Sequence, residues 1–168
     1  MSIGKMMIQQ NFLSPTGFRF SIKRLPNVSF FVQAATIPGL SMGVTDSHTP
    51  FKTIHFAGDK LQYEQFDITV RVDEYMDSYN EIFDWIVGLS KPQSFDQYKS
   101  LQQSDDGLYS DATLTILDSR KNPGIEVTFK DMFPISLGSI ILDTTETDVN
   151  YKTCDITFQH NGHTVKKI

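Results

Sequence analysis

Cysteine is nearly absent. Cys154 stands alone in 168 residues, so no internal disulfide can form. Its neighbours Thr153 and Asp155 supply no basic group to lower a thiol pKa, which reads it as a packing residue rather than a nucleophile. Long apolar runs are missing too, and none approaches the roughly 18 residues that span a membrane. The short Met6-Met7-Ile8 cluster beside a lone Lys5 is too weak for a secretion signal, so a membrane anchor is not expected. Positive charge is in deficit, with a formal net charge of -5. That balance argues against a surface built to grip a nucleic-acid duplex.

Catalytic signatures are equally scarce. There is no Gly-x-Ser-x-Gly elbow, no glycine loop to cradle phosphate and no His-Glu-x-x-His segment. His160 and His163 are three apart but sit beyond the last expected strand without a third ligand, which reads as a solvated turn rather than a metal site. Asp105-Asp106-Gly107 lacks the alternating ligands and terminal Glu of a calcium loop. Asp73 and Glu74 are adjacent and diverge, so they serve a helix N-terminus better than acid–base chemistry. The expectation is no catalytic residue, no cofactor and no metal, with a small metal-dependent hydrolase using His160 and His163 as the remote alternative.

What the sequence does have is aromatic and β-forming. Thirteen Phe, six Tyr and 39% hydrophobic residues supply one domain's core. Glu64 to Val72 alternates, with Phe66, Ile68, Val70 and Val72 on one face and Asp67, Thr69, Arg71 and Asp73 on the other. A helix over about 77–89 follows, with Tyr79, Ile82, Phe83, Ile86 and Leu89 at helical spacing and Ser78 and Glu81 at capping-box spacing. Gly88 and Pro92 supply its stop. Further strands are predicted at Phe18–Lys23, Val28–Ile37, Lys52–Phe56, Ala112–Leu117, Ile125–Phe129, Ser139–Leu142 and Asn150–Gln159. Turns are expected at Leu25-Pro26-Asn27, Ala57-Gly58-Asp59 and Arg120 to Gly124, and Phe133-Pro134 breaks the pattern. Residues 1–17 read as an N-terminal arm, Pro38 to Pro50 as a long loop, 93–109 as polar and irregular, and 160–168 as a turn-like, then basic, tail. The core domain then spans 18–159. Tyr63-x-x-x-Asp67-Ile68-Thr69 is echoed by Tyr151-x-x-x-Asp155-Ile156-Thr157, suggesting two related sheet halves. The fold class is mainly β, a barrel or sandwich of about eight strands with one flanking helix.

The motifs Ala35-Thr36-Ile37-Pro38-Gly39, Pro50, Ile54-His55-Phe56-Ala57-Gly58-Asp59, Thr69 to Glu74 and Phe83-Asp84-Trp85 occur in that order. Lys130 to Gly138, Leu142-Asp143 and Cys154 to Phe158 complete the series. Together they resemble the tail tube proteins of contractile-tailed (myovirus-type) bacteriophages, over roughly residues 18–159. The same fold group holds baseplate tube-initiators and the inner-tube proteins of type VI secretion systems. The stretch from Gln93 to Tyr109 and the tail ending Lys166-Lys167-Ile168 depart from the pattern.

The resemblance implies a structural virion protein, assembled in the host cytoplasm, whose homo-hexameric rings stack into a hollow tail tube. Implied partners are the tail sheath, baseplate and terminator proteins, with genomic DNA passing through the lumen unbound during ejection. An acidic lumen would repel phosphate, and Asp67, Asp73 and Asp155 are the candidate lumen-facing residues. Pro38, Gly39, Met42, Val44, His48 and Pro50 are the candidates for contact between subunits or rings. A baseplate tube-initiator or tail-end ring of the same fold is the nearer alternative.

Overall fold

The computed structural model describes residues 13, 17–90, 99, 107–145 and 150–168. The chain runs β1 (Phe18–Ile22), α1 (Pro26–Phe31), β2 (Val32–Ala35), β3 (Leu40–His48), β4 (Thr53–Tyr63), β5 (Phe66–Arg71), α2 (Asp77–Ser90), β6 (Ser110–Leu117), β7 (Pro123–Leu137), β8 (Thr153–Gln159) and β9 (Gly162–Lys167). Most of the expected arm at 1–17, the Asp105-Asp106 pair and Pro92 lie outside the described residues.

Strand β7 is shared by two sheets. Its first part pairs with β6 on one side and β9 on the other, and β6 in turn pairs with β1. Its last part pairs with β8, which continues through β5 to β2. All of these pairings are antiparallel. The strand changes sheet at Lys130-Asp131, where the register against β6 slips between Ala112↔Phe129 and Ser110↔Met132. Asp131 adopts φ 51, a left-handed conformation that Asp tolerates better than a β-branched residue. Its amide donates to Asp111 Oδ1 at 3.2 Å and its Oδ2 accepts from Asn161 Nδ2 at 3.3 Å.

The inner faces interdigitate in a phenylalanine-rich core. Phe66 of β5 lies 5.5 Å, centroid to centroid, from Phe20 of β1 and 4.6 Å from Phe129 of β7. Ile68, Val70, Leu114, Val127, Ile156 and Phe158 complete the layer by strict alternation. Each fully buried side chain of this size stabilises the fold by roughly 1.5–3 kcal/mol. Trp85 and Ile82 of α2 close one end. The indole Nε1 donates to the Leu108 carbonyl at 3.1 Å, and the Arg24 guanidinium sits 5.0 Å over the ring. Cys154 is buried, with its thiol donating to the Gly138 carbonyl at 3.2 Å, and burial pushes its pKa up.

Several expectations are corrected. Residues 28–31 are helical, not strand: Pro26 starts α1 at a position where its fixed φ suits a helix, and Val28 turns into the core while Phe30 points out. Helix α2 is capped by Asp73 rather than by a Ser78–Glu81 box. Its carboxylate accepts from the Asp77 amide at 3.0 Å, the Ser78 amide at 3.2 Å and the Ser78 hydroxyl at 2.7 Å. Partial desolvation raises the Asp73 pKa, but these hydrogen bonds outweigh it and hold the carboxyl below its usual range. Glu81 instead reaches α1, accepting from Asn27 Nδ2 at 2.7 Å. Residues 139–142 form no strand. The expected tail at 160–168 carries β9, because edge pairing to β7 satisfies its backbone, and Lys166 stands opposite Glu126. The echoed segments are not separate halves but neighbours. Strands β5 and β8 pair directly, and Thr69 Oγ1 donates to Asp155 Oδ1 just as Thr157 Oγ1 donates to Asp67 Oδ1, both at 2.7 Å.

The corner at Asp131 generates a prediction. Asp131→Asn preserves tolerance of the left-handed conformation and should hold stability within about 0.5 kcal/mol. Asp131→Val should lose about 1–2 kcal/mol in urea unfolding, the cost of a branched Cβ at positive φ. Equal stabilities would show that the corner is not conformationally demanding.

Candidate functional site

Residues 38–50 are not a loop. Leu40 to His48 form β3, which pairs with β4 as a separate two-stranded sheet. A bulge likewise replaces the expected turn at Ala57-Gly58-Asp59: β4 runs on through it, and the register slips between Met42↔Leu61 and Val44↔Ala57. Gly58 makes the slip possible: a Cβ there would meet the Gly43 carbonyl oxygen at 2.5 Å.

Every residue of β3 is exposed, and so is all of β4 except Gly58 and Tyr63. One face near the root carries Leu40, Met42, Val44 and Leu61. The other face carries Ile54 and Phe56 further out, opposite Ser47 and Thr45. Towards the tip, His55 Nδ1 meets Asp46 Oδ1 at 2.5 Å and His48 Nδ1 lies 3.2 Å from Thr53 Oγ1. The tip turn is tied by the Thr49 hydroxyl donating to the Lys52 carbonyl at 2.5 Å, and it displays Phe51 at 97% exposure. An isolated two-stranded sheet is marginal in water. The hairpin thus exposes apolar side chains on both faces, the kind of surface that marks interaction sites in other proteins.

Of the six expected contact residues, Met42, Val44 and His48 lie on β3, Pro38 and Gly39 at its root, and Pro50 at its tip. Gly39 and Glu64 exchange backbone and side-chain hydrogen bonds across the root, at 3.1 and 3.2 Å. Sequence reasoning missed Ile54, Phe56 and Leu61 as surface residues. The alternation Leu40-x-Met42-x-Val44 was the available sign that this segment is a strand.

The second candidate surface is the outward face of β5 and β8. Asp67 and Asp155 are both there, exposed, each held by the partner strand's threonine. Arg71 continues the row, with its guanidinium 4.2 Å over the Tyr151 ring. Asp73 is not brought into this row as a free charge, since the α2 N-terminus engages it.

His160 and His163 are not in a solvated turn. His160 is 2% exposed at the corner between β8 and β9, packed with His163 (5.4 Å), Phe129 (5.2 Å) and Tyr63 (5.7 Å). Among the described residues, no group of three or more His, Cys, Asp or Glu is placed to hold a metal ion. No described helix is long and apolar enough to cross a membrane.

No protein-family model and no curated protein matches the sequence. Solved structures do match its fold. A chain of the anti-feeding prophage cap (AFP tube terminating cap) aligns at TM-score 0.69 and 13% identity, covering 100% of both chains. A chain of the PVC sheath-tube complex, from an extracellular contractile injection system in the extended state, aligns at 0.66 and 15% identity, covering 95% of this chain and 94% of that one. The PVC sheath/tube terminator supplies a third, at 0.61 and 15% identity, over 94% and 99% of the two chains. The chain thus has the mainly β fold of contractile-injection tube and cap components, the fold group of the tail tube proteins. These neighbours are structural parts, not enzymes.

Gly58→Ala tests the hairpin geometry. Its Cβ should force the two strands apart at Gly43 and speed limited proteolysis between residues 39 and 63, while the thermal midpoint of the β-sandwich stays within a few degrees. Unchanged cleavage would show that the close approach is not required.

Proposed function

We propose that this chain is a structural subunit that associates with copies of itself into rings, and that these rings build or cap the tube of a contractile injection machine. The observation that carries the reading is the exposed β3–β4 hairpin, apolar on both faces and outside the core, on a chain whose fold matches a tube-terminating cap from end to end. A neighbouring copy that covers the hairpin buries Met42, Val44, Phe56 and Leu61 and relieves an otherwise marginal sheet. Ring closure also gives the open edges at β1 and β2 a partner. Six copies per ring is the number the tail-tube resemblance implies, with sheath, baseplate and terminator proteins around the tube and DNA as the cargo of a phage tail.

In this reading the outward β5–β8 face lines the lumen, with Asp67 and Asp155 as its charges. Asp73 contributes less, since the helix holds it. Negative charge there lets a polyanion pass without phosphate contacts. The tube-end reading, a ring that terminates rather than elongates, is favoured by the full-length match to the cap.

Negative-stain microscopy of the purified protein tests the assembly. Rings or tubes of uniform width are expected, and rings that never elongate select the tube-end reading. Phe56→Ser should weaken association by roughly ten- to a hundredfold, since an apolar contact of this size is worth about 1.5–3 kcal/mol. A protein monomeric at high concentration overturns the proposal. The lumen assignment has its own check in the doubly substituted Asp67→Lys, Asp155→Lys protein. It should still assemble but retain DNA at low salt and release it as salt rises. Failure to retain DNA places the two carboxylates elsewhere.

A further inference from the structure

The corner between β8 and β9 holds a polar group that the fold has buried. Neither ring nitrogen of His160, nor Nδ1 of His163, makes a well-formed hydrogen bond among the described residues, and the backbone of Glu64 and Gly162 only approaches the His160 ring. Both imidazoles pack edge-on against Tyr63, His160 at 5.7 Å and His163 at 5.3 Å between centroids. Tyr63 is the last residue of β4, and its ring also rests 3.6 Å from where a Cβ of Gly162 would lie. Neither β3 nor β4 packs appreciably against any other described element, so this aromatic cluster is the hairpin's principal side-chain attachment to the body, while the Gly39–Glu64 hydrogen bonds tie its two legs together at the root.

An imidazolium has two N–H donors to satisfy. The charged and titratable groups around His160 come from each element at the corner. The end of β4 brings Tyr63 and the connection after it Glu64, β7 brings Lys130 and Asp131, and β9 brings His163. The two carboxylates are already engaged, Glu64 with the Gly39 amide at 3.2 Å and Asp131 with the Asn161 side chain at 3.3 Å. The backbone of Glu64 and Gly162 favours the charged ring, but less than burial disfavours it.

We propose that His160, packed between Tyr63, Phe129 and His163, is an acid-sensitive latch, whose protonation opens the β8–β9 corner and releases the root of the β3–β4 hairpin from its fixed orientation. Burial, and next the neighbouring His163, push the His160 pKa below the ordinary imidazole value of 6.5, while the backbone of Glu64 and Gly162 pulls weakly the other way. The sign follows. A buried imidazole with a lowered pKa stays neutral when latched and takes its proton when opened. The latch is therefore at full strength above pH 6.5 and weakens as pH falls below it, until the buried ring itself titrates. Nothing in the latch depends on what the hairpin docks against, because it operates within one chain.

Amide hydrogen exchange of the full-length protein between pH 7.5 and pH 5, corrected for intrinsic rates, tests it. Residues 39–63 and 160–167 should lose protection, the open population rising roughly tenfold per pH unit below onset for one proton. The β5 and β8 amides should keep theirs. His160→Phe, which packs with Phe129 and Tyr63 but cannot titrate, should abolish the acid response, and His55→Gln should leave it intact. Proton NMR of the wild-type imidazoles supplies a check that needs no variant: His160 should begin to titrate only where the hairpin opens. The proposal is overturned by a hairpin equally protected at both pH values, or by protection lost everywhere in unison. It is also overturned by a response that survives in His160→Phe or vanishes in His55→Gln, or by a His160 ring that titrates while the hairpin stays closed.

Discussion

Strand β7 must belong to two sheets, and the rest of the molecule accommodates that demand. Its partners on the far side, β8 and β9, are one bent strand in all but name: they leave β7 at the same corner, with the Asn161 amide donating to the Lys130 carbonyl at 3.1 Å. The left-handed Asp131 makes the turn on one side and His160-Asn161 makes it on the other. Bending both brings Phe129 over Phe66 and lets Phe20, from the opposite sheet, reach the same ring. Without the corner there are two half-buried sheets and no shared core. His160 is buried because it stands there.

That arrangement leaves the hairpin outside. The core is complete with β1, β2 and β5 to β9, so β3 and β4 bury almost nothing of their own. A chain that keeps some twenty residues of paired strand in water, with Phe51 and Phe56 on display, is poorly explained as a free monomer. Association explains the hairpin and the open sheet edges together.

Legibility in the sequence followed how local each signal is. Strand β5, helix α2 and the β6–β7 turn carry their period or turn chemistry within a dozen residues and were predicted close to where they lie, but β7 runs on past the expected Phe129 end and through Phe133-Pro134 to Leu137. Strand β3 was hidden because its apolar alternation, Leu40-x-Met42-x-Val44, is short and interleaved with Ser41 and Gly43, and with Thr45 and Ser47 beyond it the segment reads as loop. Helix α1 was hidden by Val28, Phe30 and Phe31, whose β preference yields to Pro26 and to packing against β1 and α2. The Asp67–Thr69 and Asp155–Thr157 echo was visible, but its meaning was not. Reciprocal pairing across two strands is a tertiary fact. The burial of His160 was out of reach for the same reason, since it depends on β9 folding back along β7.

The central claim is that the hairpin is exposed in one chain and covered between chains. Hydrogen exchange of residues 40–63 across a dilution series, from assembled particles to monomer, measures this directly. The account predicts hairpin amides that are protected more strongly in particles than in the monomer at the same pH, while Phe66–Arg71 stays equally protected throughout. Particles that form with the hairpin exchanging as fast as in the monomer would contradict it.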